Sequence, residues 1–143
     1  MIVLDTNVLS ALMQQQPDSR VVVWLDRQAA AAIWLSSITV FEARHGLDLL
    51  APGARKELLH QRFDALLRED FQNRVLVFDA AAASHAARLA AQRRAVGRPV
   101  DMRDTFIAGI VLAHRATLAT RNTRHFQGLS VRVIDPWQES TES

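Results

Sequence analysis

The chain has 143 residues, 49% of them hydrophobic, a formal net charge of +2 and no cysteine. A chain of this length can bury roughly 68–70% of its unfolded surface, so we expect one domain over residues 1–137 and a polar, frayed tail over 138–143. The lack of cysteine excludes a disulfide framework and thiolate metal sites. With no secretory signal before Asp5 and no apolar run near the roughly 18 residues of a membrane helix, we expect a cytoplasmic protein without a membrane partner.

Apolar runs and amphipathic segments alternate along the chain. Short runs rich in β-branched residues predict five strands, at 1–4, 31–35, 74–78, 117–120 and 131–134. Helical spacing of apolar residues predicts helices at 8–12, 21–30, 40–50, 54–70, 80–95 and 102–114. Such alternation indicates an α/β protein whose central, mostly parallel sheet of about five short strands is covered on both faces.

Acidic residues follow the first two predicted strands. Asp5 comes directly after the first strand, and open α/β sheets place their ligands at the carboxyl ends of their strands. Glu42 lies in the helix after the second strand, so both carboxylates should project toward the same edge. Asp104 also lies at a helix start, but that helix leads into strand four. We therefore expect Asp104 at the opposite edge unless an extra helix packs across the top of the sheet.

Each of these acids also has a purely structural interpretation. Asp5 has the position of a helix N-cap. Thr39 with Glu42, and Asp101 with Asp104, have the spacing of a capping box, in which the second residue reaches back to the helix start. Taken one at a time, the acids do not decide between capping and chemistry.

The ordered set of motifs resembles the PIN-domain nucleases. The motifs that carry the resemblance are Asp5-Thr6-Asn7, Ser37 to Glu42, Asp104 to Ala108 and Ala119 to Asn122. Within that family the chain is most similar to the toxin subunits of bacterial VapBC-type toxin–antitoxin pairs, including the FitB-like branch, which the segments 121–126 and 135–137 also fit. The resemblance spans nearly the whole chain in order and spacing, and it implies a three-layer α/β/α fold.

The resemblance also implies a chemistry for the three acids. Asp5, Glu42 and Asp104 would bind Mg²⁺, or Mn²⁺, and catalyse the hydrolysis of RNA phosphodiester bonds. Mg²⁺ prefers oxygen ligands, usually one or two carboxylates with waters and substrate phosphate. Clustered carboxylates raise one another's pKa unless a cation neutralises them. A bound cation lowers the pKa of water and stabilises the leaving oxygen, so no Ser–His or Cys–His machinery is needed.

Supporting roles fall to neighbouring polar residues. The hydroxyls of Thr6 and Ser37 lie near the predicted edge and could hold Asp5 or a metal-bound water, although ordinary turn bonding explains them equally well. Asn7 supports the acids or simply starts the helix. Arg121 and Arg124 flank the site and could contact RNA phosphates, or they are solvated loop charges.

One departure from the family pattern concerns metal stoichiometry. PIN proteins often have a fourth acid just after strand four, where this chain has Asn122, and a further acid where it has His125. Asparagine is a neutral oxygen ligand, so we expect a second metal to bind more weakly here than in a four-acid site. Asp101 could replace the missing charge, or it could serve only as a helix cap.

The sequence disfavours two other functions and leaves a third open. An aspartyl-phosphate phosphatase typically has a second acid two residues after its nucleophile, where this chain has Asn7. A phosphoacceptor receiver domain needs a lysine late in the chain, whereas the only lysine is Lys56. The remaining alternative is a catalytically weak PIN relic that acts as a non-enzymatic partner of a DNA-binding antitoxin in operator regulation.

The resemblance also predicts partners. Toxins of this kind are commonly dimers, and the helix with Leu58, Phe63 and Leu67 has an apolar face beyond what a small sheet needs to cover it. We therefore expect a homodimer that binds an RNA substrate and a cognate small antitoxin. Contact with DNA would occur only through the antitoxin. The RNA target does not follow from the sequence.

Overall fold

The computed structural model of the chain describes residues 1–139. Its centre is a five-stranded sheet in the order β3-β2-β1-β4-β5, with every neighbouring pair of strands parallel. The strands are β1 (Ile2–Leu4), β2 (Ile33–Ser36), β3 (Val75–Leu76), β4 (Thr117–Ala119) and β5 (Val133–Ile134). The predicted α/β class with a parallel sheet is confirmed.

Seven α-helices lie between and after the strands within residues 1–139. They are α1 (Thr6–Leu12), α2 (Ser19–Asp26), α3 (Ser37–Asp48), α4 (Ala54–Ala65), α5 (Ala80–Ala95), α6 (Met102–His114) and α7 (Pro136–Glu139). α4 continues into a π-helical turn over Leu66–Asp70, so the helix predicted over 54–70 changes its hydrogen-bonding pattern part-way. α7 includes the first two residues of the predicted tail, and residues 140–143 lie outside the described residues.

The sheet has a hydrophobic core on each face. Val3 and Leu4 are both fully buried but belong to different clusters, because successive side chains of a strand point to opposite faces. The Leu4 cluster contains residues of α1, α2, α4 and α7. The Val3 cluster contains residues of α5 and α6. The chain therefore has the predicted three-layer α/β/α arrangement.

The apolar face predicted for self-association lies mostly inside the molecule. Phe63 is fully buried in the Leu4 cluster, and Leu67 packs against that cluster. Only Leu58 is exposed, to 45%. The prediction that this helix offers spare apolar surface was wrong, because the face that looked unused covers the sheet.

The path of α6 corrects the expectation for Asp104. α6 leads through Arg115 and Ala116 directly into β4, so its C-terminus lies at the amino edge of the sheet. A helix that enters a parallel strand there must begin near the carboxyl edge, and no additional helix is required. Accordingly, Asp104 Oδ2 lies 2.8 Å from Nδ1 of His125, a residue that follows the carboxyl end of β4.

Close packing of α5 on α6 depends on a glycine. A Cβ atom at Gly109 would lie 2.4 Å from the carbonyl oxygen of Ala82 and 2.8 Å from Cβ of Ala86. Only glycine permits this approach, which holds α6 firmly against the rest of the layer. Among the described helices, none is long and apolar enough to cross a membrane.

Candidate active site

Asp5 is the buried centre of the carboxyl edge. Its side chain is held by three donors, and the residue is only 4% exposed. Oδ1 accepts a hydrogen bond from the backbone N–H of Thr6 at 2.8 Å, which makes Asp5 the N-cap of α1. Oδ2 accepts from the Thr120 hydroxyl at 2.7 Å and from the Asn7 amide at 3.3 Å. Capping and site geometry are therefore combined in one residue.

The electrostatic surroundings of Asp5 disfavour its ionised form. Burial is the main cause that raises the pKa of Asp5, and the negative charges of Asp104 and Glu42 raise it further. The hydrogen bonds from Thr120 and Thr6 act in the opposite direction without overcoming the burial. A carboxylate that is buried near two others is stabilised by a cation placed among them.

Glu42 reaches the site from the second turn of α3. The cap of this helix is Ser36, whose hydroxyl accepts the backbone N–H of Thr39 at 3.1 Å. The capping box predicted for Thr39 and Glu42 was therefore wrong, because the helix starts three residues earlier. Glu42 Oε1 instead accepts a hydrogen bond from the Thr6 hydroxyl at 2.8 Å, which links α3 to α1.

Asp104 comes from the first turn of α6. Asp101 caps this helix by accepting the backbone N–H of Arg103 at 2.9 Å, as one of its two predicted roles required. Asp104 is thus free to project from the helix, and its Oδ2 contacts Nδ1 of His125 at 2.8 Å. Its side chain is 21% exposed, so solvent reaches it.

Arg103 places a positive charge at the rim of the acids. Its Nη1 lies 3.7 Å from Oε2 of Glu42, and its Nε lies 3.6 Å from Oδ1 of Asp101. The side chain is 50% exposed. Arg103 therefore offsets part of the negative charge where a polyanion would approach.

The donor set fits a hard divalent cation. Within residues 1–139, no three acidic or histidine side chains converge closely enough to enclose a metal as they stand. Each carboxylate is held by its own partner: Thr120 for Asp5, Thr6 for Glu42 and His125 for Asp104. Mg²⁺ needs only one or two carboxylates and completes its shell with water, so this open arrangement of oxygen donors suits Mg²⁺ or Mn²⁺.

Comparison with known proteins identifies the family. The sequence pattern of the PIN domain matches residues 2–130. The chain belongs to the PIN domain family. It is 38% identical to the toxin FitB of Neisseria gonorrhoeae, over 97% of this chain and 100% of FitB. It is also 38% identical to the VapC ribonuclease Y4jK of Sinorhizobium fredii, over 96% of this chain and 99% of that protein.

A solved structure extends the comparison to three dimensions. The structure of FitAB bound to a DNA fragment includes a chain that is 39% identical to this PIN domain. The TM-score is 0.87, and the alignment covers 96% of both chains. The predicted resemblance to the PIN domains of the VapBC and FitB type is confirmed.

Of the predicted supporting residues Asn7, Thr6 and Ser37, two lie at the site of this PIN domain and one does not. Asn7 lies at the site, because its amide donates to Asp5 while its Oδ1 accepts the backbone N–H of Arg121 at 3.1 Å. The Thr6 hydroxyl is there too, but it contacts Glu42 rather than Asp5. The Ser37 hydroxyl contacts none of the three acids. It accepts the backbone N–H of Phe78 at 3.1 Å and so joins the start of α3 to the segment that follows β3.

The loop after β4 forms one wall beside the acids. Arg121, Arg124 and Asn122 line a cavity of about 530 Å³ together with Thr123, His125 and Gln127. The Arg121 guanidinium lies over the ring of Trp137, 4.8 Å from its centroid, so its orientation is set by cation–π contact. Asn122 is exposed, and its backbone N–H donates to the Thr120 hydroxyl at 3.0 Å.

Sequence reasoning missed two residues of this site. Thr120 donates the shortest of the side-chain hydrogen bonds to Asp5, and Arg103 contacts Glu42. Thr120 follows β4 directly, just as Asp5 follows β1, so the rule that selected Asp5 also applied to it. Arg103 carried no signal, because an arginine in the first turn of a helix is ordinary.

Proposed function

We propose that this PIN domain is a metal-dependent endoribonuclease and the toxin of a type II toxin–antitoxin pair. The observation that carries the proposal is that Asp5, Glu42 and Asp104 share one sheet edge. Thr6 donates to both Asp5 and Glu42, and Asp104 contacts His125 beyond the carboxyl end of β4. The named activity of the VapC ribonuclease and the toxin name of FitB support it. RNA is abundant in the cytoplasm, where we place the protein.

In this proposal the acids hold Mg²⁺ or Mn²⁺, and other residues position the acids and the RNA. When bound, the cation acidifies water and stabilises negative charge on the phosphodiester. Thr120 and Asn7 fix the Asp5 carboxylate, and Thr6 fixes that of Glu42. Arg121 and Arg124, which line the adjoining cavity, bind RNA phosphates.

We also propose two protein partners. A cognate antitoxin binds this chain and connects it to DNA, by analogy with the FitAB complex on its DNA fragment. The chain pairs with a second copy of itself, through exposed apolar side chains such as Leu49 at 73% and Phe41 at 56% exposure. Light scattering of the isolated protein at high micromolar concentration tests the pairing, and a strictly monomeric mass rejects it.

The nuclease proposal is tested with purified protein, freed of any partner, and a structured RNA. We expect cleavage with Mg²⁺ or Mn²⁺, none with EDTA, and none from Asp5→Asn. The matched control is Asp26→Asn, which neutralises an exposed carboxylate on α2 and should cleave normally. Equal cleavage with and without EDTA rejects the metal requirement. No cleavage by a folded protein that still binds its antitoxin favours the catalytically weak relic.

A further inference from the structure

A second groove lies at the amino edge of the sheet, opposite the edge that carries the acids. Its volume is about 890 Å³. α5 contributes His85 and Arg88, the end of α6 contributes Arg115, and the segment entering β5 contributes Arg132. These four residues define what we call the basic groove. Thr117, at the start of β4, also lines it, whereas Thr120 beyond the other end of β4 contacts Asp5.

The basic groove carries positive charge without compensation. Three arginines and a histidine line it, and none of its lining residues, all in the described part of the chain, is acidic. The side chains of Arg88, Arg115 and Arg132 are exposed. Guanidinium groups bind phosphate oxygens in a planar, two-point geometry, so a wall of this kind suits a polyanion.

The backbone at Arg115 adds an independent observation. This residue ends α6 in the left-handed conformation, with φ 51° and ψ 37°. Glycine adopts this conformation without strain and is the usual residue at such helix ends. The chain therefore places a strained arginine where glycine would be easier, and its side chain lines the groove.

We propose that the basic groove is a second binding surface for the RNA, which takes phosphates distant from the bond that is cut. This inference rests on the proposed function. The acids repel RNA, so affinity comes from cationic side chains: Arg121 and Arg124 beside the acids hold the phosphates near the bond that is cut, and the basic groove holds distant ones. The three residues of β4 span about 10 Å, so a long or folded RNA can reach both edges. A short oligonucleotide occupies the acidic edge alone.

The test compares RNA binding and cleavage in the full-length chain. The variant combines Arg88→Gln, Arg115→Gly and Arg132→Gln, and Arg115→Gly is also made alone because glycine suits that backbone. Arg55→Gln, on the exposed surface of α4 and outside the groove, is the matched control. Fluorescence anisotropy with EDTA present measures binding of a structured RNA over a range of salt concentrations.

We expect the triple variant to bind the structured RNA on the order of tenfold more weakly. Binding should also depend less on salt: the negative slope of log affinity against log salt should decrease in magnitude by roughly 0.7–0.9 for each lost phosphate contact. With Mg²⁺, KM for the structured RNA should rise while kcat stays the same, and cleavage of a short oligonucleotide should not change. Arg55→Gln should match the wild type throughout.

Specific outcomes overturn the inference. The inference fails if a folded triple variant binds the structured RNA with the same affinity and the same salt dependence as the wild type. The inference is also overturned if poly-glutamate competes with RNA and the triple variant loses more affinity for poly-glutamate than for RNA. That result indicates that the groove binds an acidic protein partner. If the wild type binds RNA through the groove but never cleaves it, the groove stands and the proposed nuclease function fails.

Discussion

Hydroxyl groups hold two of the three carboxylates of the acidic edge in place. Thr120 donates to Asp5 at 2.7 Å and Thr6 donates to Glu42 at 2.8 Å. Each hydrogen bond holds a carboxylate in one orientation without placing a further charge at the site. Residues that orient ligands in this way commonly affect metal affinity or activity by 10–100-fold.

Replacing Asp5 should stabilise the metal-free protein at neutral pH. Burial raises the pKa of Asp5 above its ordinary value of 3.8. Between the ordinary pKa of 3.8 and the raised pKa of the folded state, the unfolded chain binds fewer protons than the folded one. The contribution of Asp5 to stability is therefore lost as the pH rises through this range. Asp5→Asn should raise the free energy of unfolding by on the order of 1 kcal/mol at pH 7, because it removes a buried negative charge that the charges of Asp104 and Glu42 repel.

Urea unfolding in EDTA at several pH values measures this effect. The gain of Asp5→Asn over the wild type should shrink as the pH falls, because the raised pKa lets Asp5 lose its charge in the folded state before it does so in the unfolded chain. Asp26→Asn controls for the loss of a charge at the surface. A variant that is less stable than the wild type at pH 7 and equally so at pH 4 contradicts the argument.

Thr120→Val should impair cleavage while leaving RNA binding nearly intact. Valine keeps the shape of threonine but cannot donate to Asp5 or accept the backbone N–H of Asn122. We expect kcat to fall by roughly 10–100-fold with little change in KM. Thr120→Ser retains the hydroxyl and should keep most of the activity. Equal losses in both variants would mean that packing, and not the hydroxyl, matters at this position.

At the scale of elements, the position of Asp104 depends on how α6 is packed. α6 carries Asp104 at its start and enters β4 at its end, while α5 covers it at Gly109. Its inward residues Ile107 and Ile110 are fully buried against the sheet. A displacement of α6 by α5 therefore moves an acid of the site although the contact lies outside it.

Gly109→Ala should destabilise the protein. The added methyl group would lie 2.4 Å from the Ala82 carbonyl oxygen, so the helices must separate. We expect a loss of roughly 1–3 kcal/mol in the free energy of unfolding, together with weaker metal-dependent cleavage. Gly46→Ala in α3 meets nothing within 4 Å and should stabilise by about 0.5–1 kcal/mol. Similar unfolding curves for the two variants would contradict the close approach of α5 and α6.

At the scale of the molecule, charge is divided between the two edges of the sheet. The carboxyl edge carries the three acids, with Arg103, Arg121 and Arg124 beside them, whereas no acid among residues 1–139 lines the basic groove at the amino edge. A formal net charge of +2 conceals this division. A partner that neutralises the protein must cover the carboxyl edge, while the opposite edge can remain open to RNA.

The proposed antitoxin should inhibit by occupying the acidic edge. An arginine of its tail can take the place of the cation by pairing with Glu42 and Asp104, whose side chains are 22% and 21% exposed. Co-expression with its cognate antitoxin should yield a complex without nuclease activity. Glu42→Gln should weaken that complex, whereas Asp26→Asn should not. Failure to co-purify, or full activity in the complex, would reject this mode of inhibition.

The sequence by itself determined the order of the strands and of the main helices, and it was enough to identify the acids as candidate site residues. Helices 80–95 and 102–114 begin and end as predicted because Asp79 and Asp101 cap them and apolar residues recur with the helical period. Asp5 was identifiable because the residue after a buried strand lies at the sheet edge where ligands bind. These inferences depend on local patterns, which the linear chain displays directly.

Only the tertiary structure decided which groups meet. The partners Thr120 for Asp5, Thr6 for Glu42 and His125 for Asp104 are set by strand order and helix direction. Ser37 looked equivalent to Thr6 in sequence, yet its hydroxyl serves the backbone of Phe78. The apolar face of α4 looked free until Phe63 was found in the core. The reason is the same throughout: contacts between residues distant in the chain depend on packing, which local periodicity does not encode.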